Sequence, residues 1–218
     1  MPGRVILLAS QSQGRASLLH QSHLPFATKS TSVTEDKPAG QVSQADAEQL
    51  VLTNSNRKLK SCLGQLTKED WAKYNVVIAA DTLIWLPNQV VGKPASKEEA
   101  NRFLQLLGGR KHHCISGATC VVVQKGQSEP YSPPFEIVDT TSVILTADKS
   151  LIRAYLESGE WEGRAGAYAI QGLGGSLLVE EMQGNYDTVV GLPLQKILKH
   201  LSRHYSSVIL ELLNHCNL

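Results

Sequence analysis

Val76-Val77-Ile78-Ala79-Ala80-Asp81-Thr82 decides the reading of this chain, together with Gly92-Lys93-Pro94 one short hairpin later. The apolar run predicts a buried core strand, and Asp81 then stands at its C-terminal mouth, where open α/β sheets bind ligands. The hairpin returns the Lys93 ammonium to the same rim, and Pro94 holds Lys93 extended. An acid and a base brought together in this way suit a phosphate ester with its metal ion. Taken singly, Asp81 also reads as a turn or helix-cap residue.

Outward from this strand, strands and helices alternate. Val5 to Ala9 predicts a core strand, and Ser12 caps a helix that runs to about Gln21 with Ala16, Leu18 and Leu19 inward. Phe26 to Val33 predicts a second strand, Thr34 to Gly40 a polar loop containing Glu35, and Ser43 to Leu63 a long helix. Ser96-Lys97-Glu98-Glu99 is a capping box, followed by Ala100, Phe103, Leu104 and Leu107 at helical spacing until Gly108-Gly109. Cys114 to Val123 and Phe135 to Leu145 predict two long strands joined by a loop with Gly126, Pro130, Pro133 and Pro134, so the sheet is mixed. Asp148 opens a helix that Gly159 ends. Tyr168 to Ile170 and Leu177 to Met182 predict short strands around a tight turn at Gly172-Leu173-Gly174-Gly175, and Pro193 opens the last helix.

Composition excludes several classes. Lys plus Arg number 21 against 20 for Asp plus Glu, so no overall field recruits nucleic acid and any anion site is local. The five-residue apolar opening is too short for a signal segment or a membrane span. Cys62, Cys114, Cys120 and Cys216 form no C-x-x-C pair and read as reduced cytosolic thiols. Cys216-Asn217-Leu218 only faintly matches a peroxisomal tripeptide, and the prenylation pattern is not met. His112-His113-Cys114 carries zinc-ligand types without a second pair to complete a tetrahedron, and the glycine stretch lacks P-loop or dinucleotide spacing.

The motifs Leu8-Ala9-Ser10-x-Ser12-x-x-Arg15-x-x-Leu18-Leu19, Ala80-Asp81-Thr82, Gly92-Lys93-Pro94, Ala165-Gly166-Ala167-Tyr168-Ala169-Ile170-Gln171-Gly172 and Gly184-Asn185-Tyr186 through Leu194 together resemble the Maf family of nucleoside triphosphate pyrophosphatases, in order from Leu7 to about Leu201. The resemblance implies one domain over residues 1–218. Its fold is an elongated, two-lobed α/β domain with a mixed, bent sheet, flanking helices and a central cleft, related to the inosine triphosphate pyrophosphatases. It implies hydrolysis of dTTP, UTP and related or modified pyrimidine nucleotides to monophosphate and pyrophosphate by a homodimer, while the cysteine pattern, the charge balance and the short apolar opening are those expected of a cytoplasmic protein that engages neither nucleic acid nor membrane.

The resemblance marks Asp81 as proton acceptor, with Glu35, Lys58 and Lys93 as its catalytic companions. Ser10, Arg15 and Gln171 are the expected substrate-binding residues. Position 14, Thr82 and Gln171 are the expected specificity positions, and Glu35 and Asp81 the carboxylates for Mg²⁺ or Mn²⁺. Cutting at the α-phosphorus loads negative charge on the site, which cations and a metal ion must absorb. Three departures stand out: Gly14 where the family's Ser-Pro-Arg-Arg has its first arginine, Asn54-Ser55-Asn56-Arg57 where it has Leu-Ala-x-x before the lysine, and Ser116-Gly117-Ala118 for Thr-Gly-Val. The alternatives are the family's 7-methyl-GTP branch, against which Thr82 and Gln171 argue, and an idle nucleotide-binding module.

Overall fold

A computed structural model describes residues 5–36, 41–124 and 130–214. Its seven-stranded mixed sheet has the order β2-β1-β3-β5-β6-β7, with β4 paired to β3. Strand β1 (Val5–Leu8) lies parallel to both β2 (Phe26–Thr28) and β3 (Tyr74–Leu86). The antiparallel part runs from β3 through β5 (Lys111–Val122) and β6 (Phe135–Leu145) to β7 (Val179–Gln183). The long hairpin expected from Cys114 and Phe135 onward is therefore present.

Strand β3 differs from expectation in a way that matters for the site. It does not stop at the carboxylate: it continues through Asp81 to Leu86 and folds back as β4 (Gln89–Val91). The end that opens a mouth beside Asp81 belongs to β1, whose last partner on β3 is Ile78. From there to Ile84, where β4 begins to pair, no strand among the described residues lies along that edge of β3.

Alternation along β3 sends side chains to two faces. Val77 and Ala79 pack with Leu7, Leu59 and Cys62 under α2 (Gln44–Leu63), while Leu83 packs with Val51 and Ile115 further along. Val76, Ile78 and Ala80 pack on the other face with Leu18 and Leu19 of α1 (Gln13–Gln21), and Ile84 and Leu86 join a separate cluster. That cluster is built on α4 (Lys97–Leu107) and α5 (Lys149–Ser158). Asp81 and Thr82 thus occupy the seam between two apolar clusters on each face, and the cleft lies at this seam.

Local chemistry explains the helices. Ser12 accepts from the Arg15 backbone as cap of α1, a contribution of about 1 kcal/mol. Burial of Leu18 and Leu19, at roughly 1.5–3 kcal/mol each, fixes the helix more strongly. Ser43 and Asp46 form a reciprocal capping box for α2. Ser96 caps α4 through Glu99 N, but the Glu99 carboxylate turns to Ala95 N, so only half of the expected box forms there. A short helix α3 (Lys68–Trp71), not expected, precedes β3.

Further corrections fall where the signal is weakest. Strand β2 ends at Thr28, because its partner β1 ends at Leu8. Tyr168–Ile170 is not a strand, and the glycine stretch forms α6 (Gly172–Leu177) rather than a tight turn. The carboxylate of Glu160 receives Leu173 N and Gly174 N at the start of α6, which holds a glycine-rich helix without periodic apolar residues. After α7 (Tyr186–Val190), Pro193 does open α8 (Leu194–His204), but α9 (Ser206–Leu213) follows it. Gly126 and the Cys216-Asn217-Leu218 tripeptide lie outside the described residues. The thiols of Cys62, Cys114 and Cys120 are free and buried.

Candidate active site

A polar cleft of about 740 Å³ opens at the seam, and Asp81, Glu35, Lys58 and Lys93 all line it. At its centre the Lys58 ammonium lies 2.6 Å from Asp81 Oδ1 and 2.7 Å from Glu35 Oε1. Lys93 stands 3.9 Å from the same Glu35 oxygen and is more than half exposed. The four residues expected to act together are brought together, from a loop, a helix, a strand and a hairpin exit.

Helix α2 explains how a lysine is held there. Its buried stripe, Ala47, Val51, Asn54, Ser55, Lys58, Leu59 and Cys62, is apolar at both ends and polar where it crosses Asp81. Gly117 permits the close approach, since a Cβ there would stand 2.7 Å from Val51 Cγ2. Lys58 also donates weakly to the Ala80 carbonyl at 3.5 Å. Burial pushes the Glu35 carboxyl up, but the hydrogen bond and charge of Lys58, with Lys93 and Arg15 behind it, hold the group below its ordinary range.

Asn54 and Arg57 are neighbours of the candidate site that the motif reading missed. Asn54 Nδ2 donates to Asp81 Oδ2 at 3.0 Å, and its Oδ1 receives Asp36 N at 3.0 Å. Arg57 pairs with the Asp36 carboxylate at 2.6 Å. The helix segment that departs from the family's Leu-Ala pattern therefore ties the Glu35 loop to Asp81. Ser55, in the same segment, lies 2.7 Å from Thr119 Oγ1 on β5. A polar residue at helical spacing from Lys58 was the available signal.

On the opposite face, Arg15 is a brace. Its Nε donates to Gly191 O at 2.7 Å, Nη1 to Ser10 Oγ at 3.0 Å and Nη2 to Thr82 Oγ1 at 3.1 Å. Thr82 in turn donates to Gly191 O and lies 2.9 Å from Ser116 Oγ. Gly191 has φ +112°, and a Cβ would stand 3.0 Å from Thr82 Oγ1, so this approach requires glycine. Burial lowers the Arg15 pKa, against the raising effect of Asp81 and Glu35. Ser10, Arg15 and Thr82 line the cleft, but their polar atoms are largely engaged with one another.

Gln171 lines the same cleft, and its side-chain amide makes no hydrogen bond among the described residues. Position 14 abuts this amide: a Cβ built on Gly14 would stand 3.4 Å from Gln171 Oε1. His112 is a satisfied core residue instead: its ring lies 3.0 Å from Arg110 O and 3.1 Å from Tyr168 Oη, and burial lowers its pKa to about 4.

Two carboxylates share one buried ammonium, with Lys93 beside them, in a polar cleft at a sheet seam. The chain belongs to the Maf family, described as Maf-like protein, whose model matches residues 5–204. It is 35% identical over 199 residues to a dTTP/UTP pyrophosphatase of Pseudoalteromonas atlantica, covering 91% of this chain and 96% of that protein. Proteins of the same name from Nitrobacter hamburgensis (34% over 196 residues, 89% of each chain) and Methylobacillus flagellatus (36% over 197 residues, 90% of each chain) are similar to it.

Proposed function

We propose that this protein hydrolyses dTTP and UTP, with related or modified pyrimidine nucleotides, to the monophosphate and pyrophosphate. The observation that carries the reading is Lys58, held between Asp81 and Glu35 within the cleft. In the proposed reaction Asp81 accepts a proton from the water that attacks the α-phosphorus. Lys58 and Lys93 contact phosphate oxygens as charge builds up in the transition state.

The donor set fits a magnesium or manganese ion. Glu35 and Asp81 lie together on the cleft wall, two hard oxygen donors of the kind magnesium takes, and Lys58 with Lys93 and Arg15 holds the Glu35 pKa below its ordinary value. No group of three His, Cys, Asp or Glu able to hold a metal occurs among the described residues. Two carboxylates completed by substrate phosphates are the usual arrangement for magnesium. Glu35 and Asp81 would hold the ion, which when bound supplies charge neutralisation on the phosphates.

The free amide of Gln171 offers both a donor and an acceptor, matching the mixed edge of uracil or thymine. Thr82 and Gln171 favour the pyrimidine branch over the 7-methyl-GTP branch, whose pattern has Gln and Glu at these places. The idle-module alternative rests on Gly14 and the Asn54 to Arg57 segment. The contacts of Asn54 with Asp81 and of Arg57 with Asp36 weigh against it.

No helix among the described residues is long and apolar enough to cross a membrane. The proposed protein is a single-domain cytoplasmic homodimer acting on free nucleotides, not on nucleic acid or at a membrane.

The test is kcat/KM for UTP, dTTP, CTP, GTP and 7-methyl-GTP with magnesium or manganese, scored as pyrophosphate released. UTP and dTTP should lead, and Gln171→Glu should cost them on the order of 1–3 kcal/mol. A preference for 7-methyl-GTP, or an unchanged ranking in the variant, overturns the assignment.

A further inference from the structure

The cations of the cleft are not equally available to a substrate. Arg15 has its guanidinium bonded to Ser10, Thr82 and Gly191, and Lys58 is sandwiched between two carboxylates. Lys93 faces Glu35. Arg164 differs from all three. It lines the cleft, half-buried just after α5, and its guanidinium makes neither a hydrogen bond nor an ion pair among the described residues. The nearby carboxylate of Glu160 is occupied with the start of α6.

The position of this guanidinium is informative. A Cβ built on Gly14 would stand 3.0 Å from Arg164 Nη1 and 3.4 Å from Gln171 Oε1. Arg164 therefore reaches, from the far wall, the space that a side chain at position 14 would enter. Position 14 is where the resemblance expects the first arginine of the Ser-Pro-Arg-Arg motif, and this chain has glycine there.

We propose that Arg164 is a substrate-binding residue that grips the triphosphate, delivering from across the cleft the guanidinium that position 14 lacks. The inference rests on the proposed nucleotide substrate. It explains how a chain without the first motif arginine keeps a cation at this edge. Arginine suits the task, because its planar fork meets phosphate oxygens in pairs.

The test compares wild type with Arg164→Ala, Arg164→Lys and the double variant Gly14→Arg/Arg164→Ala. Inorganic tripolyphosphate binding is measured by calorimetry and UTP turnover by steady-state kinetics, with thermal melts to confirm folding. Arg164→Ala should weaken tripolyphosphate binding and raise the KM for UTP by about tenfold or more, with kcat changed less. Arg164→Lys should recover part of the loss, and the double variant should recover most of it.

Tripolyphosphate affinity unchanged in Arg164→Ala overturns the phosphate role, including the case where only the ranking of bases moves. A folded double variant no better than Arg164→Ala overturns the exchange with position 14. A wild type that binds tripolyphosphate through Arg164 yet cleaves no nucleotide supports this inference while sinking the hydrolase reading. Active wild type with an unaffected Arg164→Ala does the reverse.

Discussion

Asp81 and Asp139 are both buried carboxylates in the middle of long strands, and each meets a lysine at 2.6 Å. Around Asp139 on β6 the set is closed: Lys196 takes Oδ1, while Asn185 at 2.7 Å and Thr188 at 2.5 Å take Oδ2. One carboxylate meets one ammonium, and the group serves to anchor α7 and α8 to the sheet. Around Asp81 the lysine is shared with a second carboxylate, and the trio lines a cleft. The difference teaches that burial and a lysine partner do not mark a site. A cluster of acids and lysines that faces open space is what sets Asp81 apart.

The strongest way to break this comparison is to remove charge from both aspartates. Asp81→Asn should lower kcat by about 10²-fold or more while circular dichroism stays native, because proton acceptance and a metal-holding charge are lost together. A variant within a few-fold of wild type would remove Asp81 from the mechanism.

The trio itself can be sharpened by metal titration. Lys58→Ala and Lys93→Ala should each slow turnover by about tenfold or more, and added magnesium should not restore them. Glu35→Ala should regain part of its activity as magnesium rises, by mass action. Superimposable titration curves for the three variants would show that this division of roles is wrong.

Asp139→Asn should have the smallest effect on turnover and act on stability. Burial raises the Asp139 pKa, but the Asn185, Lys196 and Thr188 donors outweigh it and leave the group below its ordinary value of 3.8. A lowered native pKa gives stability that is complete above that ordinary value and is lost as the pH falls through the native one. Urea unfolding at pH 7 should therefore show Asp139→Asn less stable by about 1–3 kcal/mol, with the gap narrowing below pH 3.8. A gap that widens on acidification would contradict this assignment.

What the sequence made legible follows from the range of the interactions involved. Helices α1, α2 and α5 carry their caps and apolar stripes within a few residues, so Ser12, Ser43 and Asp148 locate their starts. The extent of β3 depends on β5 pairing with it as far as Trp85 and on the return of β4. Neither is local, and an aspartate inside a strand reads as its end. The proposed catalytic group was visible through motif order, whereas the Asn54 to Asp81 contact spans 27 residues and changes the sense of a segment that looked eroded. Arg15 shows the same limit: its charge was legible, but the three partners that occupy it were not.

The unpartnered stretch of β3 between Ile78 and Ile84 has a consequence for the protein's behaviour in a crowded solution. An exposed strand edge is a template on which other chains add, and proteins keep such edges short or covered. Here β1 and β4 close the edge on either side, and of the five residues between them, Ala79 to Leu83, all but Thr82 are buried. A foreign strand therefore finds little exposed backbone there on which to dock. Interrupting the ladder for these five residues opens the centre of the sheet to the cleft without offering an exposed seam for aggregation.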